Sequence, residues 1–375
     1  MLFLIFLALL TALFVPPLVY YAWMKSKTKK SWGLTMNDNY QPKVSLIIPT
    51  YNETAVVRKK LENTQQIDYP SDKLQVILVD SASTDGTLAV CEDFLEKKDL
   101  RFPMRLLSEG KRMGKSHALN TALEYAEGEI IAISDADSFW EPDTLRKAVP
   151  FFADPSVGAV TGREELINLE RTIHTLSEGL YRKFYYTLRL GESKVHSTLI
   201  FQGELSLYKK SALEKFEDRA GYSDDTGTVI DIVSRGYRCI FIPEAVFHDT
   251  AAYSLYGRLV LKSRRAQHLV AGIMRSLKLK AQRRLPLSSA IVFFNFYMHV
   301  ISPLLLVFTA FIGVLYLGTF WYLIPLFILP LLFEKPRVFI ISYLTSNLAL
   351  IVGLIRHFAG KKEVTWRKIE EMRAR

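Results

Sequence analysis

The sequence predicts an α/β domain on a mixed, mainly parallel sheet wrapped by helices, with transmembrane helices at the N-terminal and C-terminal ends. Three observations predict it. Short β-rich runs alternate with helical stretches from about residue 41, charge-free apolar runs stand outside that region, and acidic residues close the ends of the strand runs. With 49% hydrophobic and 23% charged residues, apolar sequence is left over once a core is filled.

Residues 1–23 carry no charged side chain, and about 20 apolar residues suffice to cross a bilayer. A cleaved leader would start with basic residues and end at small ones. This run instead opens Met1-Leu2-Phe3-Leu4 and closes on Tyr20, Tyr21 and Trp23, followed by Lys25, Lys27, Lys29 and Lys30. It is read as an uncleaved anchor, residues 1–24, with its basic flank inside the cell.

Strands are expected at 44–49, 74–80 and 129–135, and helices at 53–66, 87–97 and 115–127. This βαβαβ succession implies parallel pairing, with ligands at the carboxyl ends of the strands. The catalytic domain is placed at 40–250. Cys91 and Cys239 lack metal-type spacing and suit a reducing compartment.

The net charge of +10 is concentrated after the domain, since no acidic residue occurs between Asp249 and Glu334. Arg258, Lys262, Arg264, Arg265, Arg275, Lys278, Lys280, Arg283 and Arg284 fall there, so 251–284 is read as a basic amphipathic segment facing anionic lipid headgroups or a negatively charged substrate rather than a nucleic-acid site. Residues 285–333 have room for two spans. The run 338–355 is marginal and is read as re-entrant or interfacial, within a transmembrane region 285–357. That keeps the basic tail 358–375, with Lys361, Lys362, Arg367 and Lys368, in the cytosol. The expected location is therefore the cell membrane, multi-pass, with a cytosolic catalytic domain.

The chemistry-bearing residues sit at the strand ends. The first strand runs into Pro49-Thr50-Tyr51-Asn52-Glu53 and the second into Asp80-Ser81-Ala82-Ser83. Asp80 closes an all-apolar strand, where an ionisable group is seldom needed for packing. Gly114-Lys115 opens a helix and can set positive charge and free backbone N–H groups beside a diphosphate. Asp135-Ala136-Asp137 offers two carboxylates one residue apart, suited to a hard cation whose other ligands are phosphate oxygens. Asp224-Asp225 opens a further helix and can supply a general base. Tyr185 and Tyr186, at helical spacing, are read as core rather than as a stacking platform.

In combination these residues resemble glycosyltransferase family 2, inverting enzymes of the GT-A fold, over roughly 43–267. The resemblance implies that Pro49, Tyr51, Glu53 and Asp80 grip the nucleoside, that Lys115 lies near the diphosphate, and that Asp135 and Asp137 form the metal-binding DxD motif. It implies Asp225 as base, with Asp224 standing where Glu is more usual. Gly203 in Phe201-Gln202-Gly203-Glu204 also looks like a recurrent family segment. The processive members' Gln-x-x-Arg-Trp motif is altered here to Lys262-Ser263-Arg264-Arg265-Ala266-Gln267, in which Arg265 matches the arginine and the tryptophan is absent. Long-polymer synthesis is therefore disfavoured.

The resulting expectation is a transferase using Mg²⁺ or Mn²⁺ to move a sugar from a nucleotide-diphosphate sugar, UDP first, to a hydroxyl of a lipid-linked or glycan acceptor. Arg264 and Arg265 are expected to contact the diphosphate or that acceptor. Three other readings stay open: transfer to a polyprenyl phosphate, a processive synthase, and an inactive scaffold that keeps only the fold.

Overall fold

The computed structural model describes residues 2–96, 99–169, 172–316, 318, 321, 325 and 328–360. The basic tail lies outside them from residue 361 onward. A helix α1 (Leu2–Thr28) leads into β1 (Val44–Thr50), α2 (Val57–Gln65), β2 (Leu74–Asp80), α3 (Thr87–Leu95), β3 (Met104–Ser108), α4 (Lys115–Leu123) and β4 (Ile130–Ile133). Next come β5 (Phe139–Trp140), α5 (Thr144–Ala148), β6 (Val157–Leu166), α6 (Ile173–Val195), β7 (Ser206–Lys209), α7 (Asp224–Ser234) and β8 (Arg238–Asp249). Helices α8 (Leu255–Ala281), α9 (Ser289–Phe296), α10 (Ser302–Leu315) and α11 (Glu334–Phe358) close the described chain, with a π-helical turn, Tyr297–Ile301, joining α9 to α10.

The strands form one eight-stranded sheet in the order β3-β2-β1-β4-β7-β6-β8-β5. Helices cover both faces, so β1 and β2 are apolar almost throughout and nearly every residue in them is buried. Alternate residues feed two cores: Val44, Leu46 and Ile48 pack towards α2 and α3, while Ile47, Ile77 and Val79 pack towards α4 and α7. Helix α2 buries Val57, Lys60, Leu61 and Thr64, one stripe at i, i+3, i+4 and i+7.

The half made of β3, β2, β1 and β4 is parallel, as the alternation of strands and helices predicts. The register aligns Thr50 with Asp80 and Ile47 with Ile133, which brings the carboxyl ends of β1, β2 and β4 to one edge. Beyond β4 the sheet is mixed: β7 runs antiparallel to both β4 and β6, and β6 pairs parallel with β8. Close packing at β6 is enforced by Gly162, where a Cβ would lie 2.4 Å from the carbonyl oxygen of Ala245 and 2.5 Å from Leu205 Cδ2. Gly162→Ala is expected to lower stability by about 1–3 kcal/mol, as overpacking does in a tight core. A thermal melt of the purified variant checks it, and an unchanged midpoint would show that β6 and β8 can separate at no cost.

Among the described residues, three helices are long and apolar enough to cross a membrane: Phe3–Thr28, Ser289–Leu315 and Glu334–Phe358. The N-terminal expectation agrees with the first. The 285–333 run supplies one such helix among the described residues, and much of the stretch expected to form a second lies outside them. The 338–355 segment, read from sequence as re-entrant, lies inside a continuous 25-residue helix. Ser342, Thr345 and Asn347, the polar residues within it, are buried inside the protein.

The first helix packs on the catalytic domain through α6. A Cβ at Gly191 would lie 2.5 Å from Met24 O, Tyr20 Oη donates to Glu192 Oε1 at 2.5 Å, and Tyr21 stacks on Phe184 at 5.0 Å. Four cations of the basic segment face the domain. Arg258, 2% exposed, and Lys262 pair with Glu178; Arg265 pairs with Glu204 and Arg275 with Asp231 and Glu217. These cations face acidic groups of the domain, which relieves the cost of burying those carboxylates.

Candidate active site

Of the acids singled out in the sequence, Asp135, Asp224 and Asp225 line one cavity of about 450 Å³. Lys115, Asp135, Asp224 and Asp225 line it together with Gly203, Glu204, Arg264 and Arg265, and it continues past Arg182 and Lys262 to Ser346, Ala349 and Leu350 of α11.

Lys115 is placed by Gly114, whose φ of 99° is open to glycine and strained for other residues. As the first residue of α4, Lys115 reaches Asp135 Oδ1 at 2.6 Å and Asp224 Oδ2 at 3.4 Å. Gly203 stands where these groups converge: a Cβ there would lie 3.1 Å from Lys115 Nζ and 3.4 Å from Asp225 Oδ2. Any larger residue would enter the space in front of all three.

Asp224 and Asp225 form the first turn of α7 behind the N-cap residue Ser223, where the helix dipole favours negative charge. Asp225 Oδ1 accepts from the Thr226 N–H, so its carboxyl is fixed. Burial, and after it the neighbouring Asp224, pushes the Asp225 carboxyl above the usual carboxylate range. That shift makes it a better proton acceptor at neutral pH.

The loop after β4 holds Asp135, Ala136 and Asp137. Burial pushes the Asp135 carboxyl up to about 7, against the pull of Lys115 and with added repulsion from Glu204 and Asp137. Asp249, the last residue of β8, is pushed up to about 8 by burial and then by Asp137 and Glu204. Beneath the loop, Lys60 is fully enclosed. Its Nζ donates to Ser134 Oγ at 2.5 Å and to Ser138 O at 2.7 Å, and burial brings its pKa down to about 7.

Acids that repel one another in a dry site fit a divalent cation, which would relieve the repulsion. Among the described residues no group of three or more His, Cys, Asp and Glu side chains could hold a metal ion by itself. The chain thus offers a partial ligand set, as expected where phosphate oxygens complete the shell. Asp135, Asp137 and Asp249 are the mutually repelling acids there.

Glu204, Asp249 and Lys60 were not picked out in the sequence. Asp249 carries the same signal as Asp80, an acid closing an apolar strand, but β8 was not among the expected strands. Glu204 receives Arg265 at 2.8 Å; burial alone would raise its carboxyl, and Arg265 and Lys115 together hold it low.

The expected nucleoside residues Pro49, Tyr51, Glu53 and Asp80 stand at the same sheet edge but do not line that cavity. Asp80, 1% exposed, accepts from the Ser83 N–H at 3.0 Å and from Ser83 Oγ and Thr50 Oγ1, which closes the turn after β2. Tyr51 is covered by the Arg112 guanidinium, 3.8 Å from its ring centroid. Glu53 is buried, its N–H bonded to Thr87 Oγ1. Tyr186 stacks on Phe241 and Tyr185 packs on Tyr181.

Comparison with known proteins accords with this geometry. Residues 45–216 match the model of the family described as glycosyl transferase family 2. A probable glycosyltransferase, YdaM, of Bacillus subtilis is 30% identical over 210 residues, 55% of this chain and 50% of that protein. A beta-monoglucosyldiacylglycerol synthase of Synechocystis is 36% identical over 138 residues, 37% of this chain and 29% of that one. The chain thus spans half or less of the length of these curated relatives. Among solved structures, the mannosyltransferase PcManGT of Pyrobaculum calidifontis, in complex with GDP-Man and Mn²⁺, is 34% identical with a TM-score of 0.83. That match covers 96% of this chain and 100% of that one. From the order of its motifs, the shape of its sheet and this end-to-end likeness, the chain belongs to glycosyltransferase family 2, with the GT-A architecture of that family's hexosyltransferases.

Proposed function

We propose that the protein transfers a hexose from a nucleotide-diphosphate sugar to a hydroxyl of a lipid-linked acceptor at the membrane, inverting the anomeric centre. The observation that supports this reading above all is the convergence of Lys115, Asp135, Asp224 and Asp225 on one cavity that runs on to α11, a candidate span.

In this reading Lys115 holds the diphosphate by charge, and Asp135 and Asp137 would hold a divalent cation. When bound, that cation neutralises negative charge on the departing diphosphate. Asp225 Oδ2 takes the proton of the attacking hydroxyl as the new bond forms. Gly203 leaves the room that the acceptor needs between Lys115 and Asp225. Tyr51, Asp80 and Glu53 shape the nucleoside end, Asp80 by fixing the turn after β2. Arg265, bound to Glu204, closes the cavity above the diphosphate. The catalytic domain is placed in the cytosol, beside the basic residues that follow α1.

GDP-mannose, held by the structural neighbour that spans nearly the whole chain, is the first donor to test, and UDP-sugars are the second. The experiment is nucleotide release by the full chain in detergent with membrane lipids added, over GDP-mannose, UDP-glucose and UDP-N-acetylglucosamine, with Mn²⁺ or a chelator. Release from one donor, stimulated by lipid and abolished by the chelator, is the expected result. Release from none of them under any condition would contradict the reading.

A further inference from the structure

We infer that the acceptor lipid carries a phosphate, and that Arg189 on α6 binds it at the membrane end of the active-site cavity. This rests on the reading of the cavity as a transferase site.

Arg189 lines the same cavity as Asp225 and is 9% exposed. Its Nε and Nη1 are buried and meet no hydrogen-bond partner among the described residues. A guanidinium keeps its charge and carries five donors, and burying it unpaired is costly. Several other cations nearby have an acid partner, three of them sharing Glu178. Arg182 meets Glu164 and Glu178, Arg258 and Lys262 meet Glu178, and Arg265 meets Glu204. Glu192, one turn along α6, is engaged by Tyr20 and Asn295 and forms no ion pair among the described residues. An anion from outside the chain is what this donor set lacks.

Its position says which anion. The half of α6 that holds Arg189 packs on candidate spans: the Tyr185 ring lies 5.7 Å from His299, and Glu192 bonds Tyr20 of α1 and Asn295 of α9. Seven residues separate Arg189 from Arg182, a rise of about 10 Å along the helix. Lys262 Nζ, which contributes charge to the same cavity, donates to Ser346 Oγ of α11 at 3.3 Å. An anion here has polar protein on one side and membrane-length helices on the other. A planar guanidinium fits a phosphate bidentately. A phosphate joining a lipid chain to a sugar would sit at Arg189, with the sugar hydroxyl reaching towards Asp225.

The test measures binding of four probes to the full chain in detergent: farnesyl phosphate, farnesol, inorganic phosphate, and phosphatidylglycerol in mixed micelles. Donor binding with Mn²⁺ is measured in the same samples. Farnesyl phosphate is expected to bind at least about tenfold more tightly than farnesol, to lose at least about tenfold in Arg189→Gln, and to lose at least about threefold in Arg189→Lys, which keeps the charge but not the planar fork. Donor affinity should stay within about twofold in both variants. A thermal melt reports whether each variant is folded, and the lysine variant carries the test if the glutamine one is not. Equal binding of farnesol, or unchanged affinity in Arg189→Gln, would overturn the inference. So would inorganic phosphate binding as tightly as the lipid, which marks a free-anion site. Phosphatidylglycerol displacing farnesyl phosphate at equal concentration would mark a structural-lipid site and overturn it too. Loss of donor binding by the unaltered chain would instead sink the transferase reading.

Discussion

Asp225→Asn is expected to lower sugar transfer by about 10²–10⁴-fold while leaving nucleotide-sugar affinity nearly unchanged. A sugar hydroxyl is far too weak an acid to be ionised at neutral pH, so its attack requires proton removal as the bond forms. Asp225 Oδ2 would lie 3.4 Å from a Cβ placed at Gly203, beside Lys115 Nζ at 3.1 Å. Asparagine keeps the oxygen that accepts from the Thr226 N–H, so the turn that opens α7 should survive. Burial and the nearby Asp224 raise the Asp225 carboxyl. The base form therefore grows as pH rises through that raised value, and the rate should climb with pH on the acid side. That limb should vanish in the variant. Near-normal transfer by Asp225→Asn would overturn the hydroxyl-acceptor reading and favour direct transfer to a phosphate, which is already an anion and needs no base.

Asp137→Asn should be comparably damaging by another route. Asp137 adds to the repulsion that raises both Asp135 and Asp249. Removing its charge eases that repulsion, so the fold should hold or even gain stability, while the site loses part of its pull on a divalent cation. The lost stabilisation of the leaving diphosphate is worth several kcal/mol, on the order of 10²-fold or more in rate. Nucleotide release measured across a Mn²⁺ titration separates the two effects: the variant should need more metal and still turn over slowly. Full turnover by Asp137→Asn in the presence of chelator would remove the cation from the reaction.

The half of the fold that was legible in the sequence is the half built from repeated units. Val44–Thr50, Leu74–Asp80 and Ile130–Ile133 are apolar on both sides because helices cover both faces, and their spacing with the intervening helices dictates parallel pairing. Strand β3 escaped notice because it is half-exposed and carries Arg105 in its middle, as an edge strand can. Strands β6, β7 and β8 pair with partners distant in sequence, and periodicity holds no record of which strand lies beside which.

The candidate site divides in the same way. Lys115, Asp135 and Asp225 are visible because each stands next to an element boundary, where chain direction alone sets the position of a side chain. Glu204 and Arg189 are not visible so. Glu204 gains meaning only from Arg265, 61 residues away, and Arg189 only from two guanidinium nitrogens that find no hydrogen-bond partner among the described residues. Arg258 and Lys262 were assigned to lipid or an anionic substrate because the sequence shows a run of cations. It does not show that Glu178, on another helix, already holds both.

The central claim is that one cavity, bounded by Lys115, Asp135 and Asp225, holds both the donor diphosphate and its metal ion. The most direct measurement is an anomalous-difference map from crystals of the full chain grown with Mn²⁺ and a nucleotide-diphosphate sugar. The account predicts a manganese peak beside Asp135 and Asp137, with the diphosphate next to Lys115 and the sugar facing Asp225. A peak at any other group of acids, or a diphosphate bound away from Lys115, would contradict it.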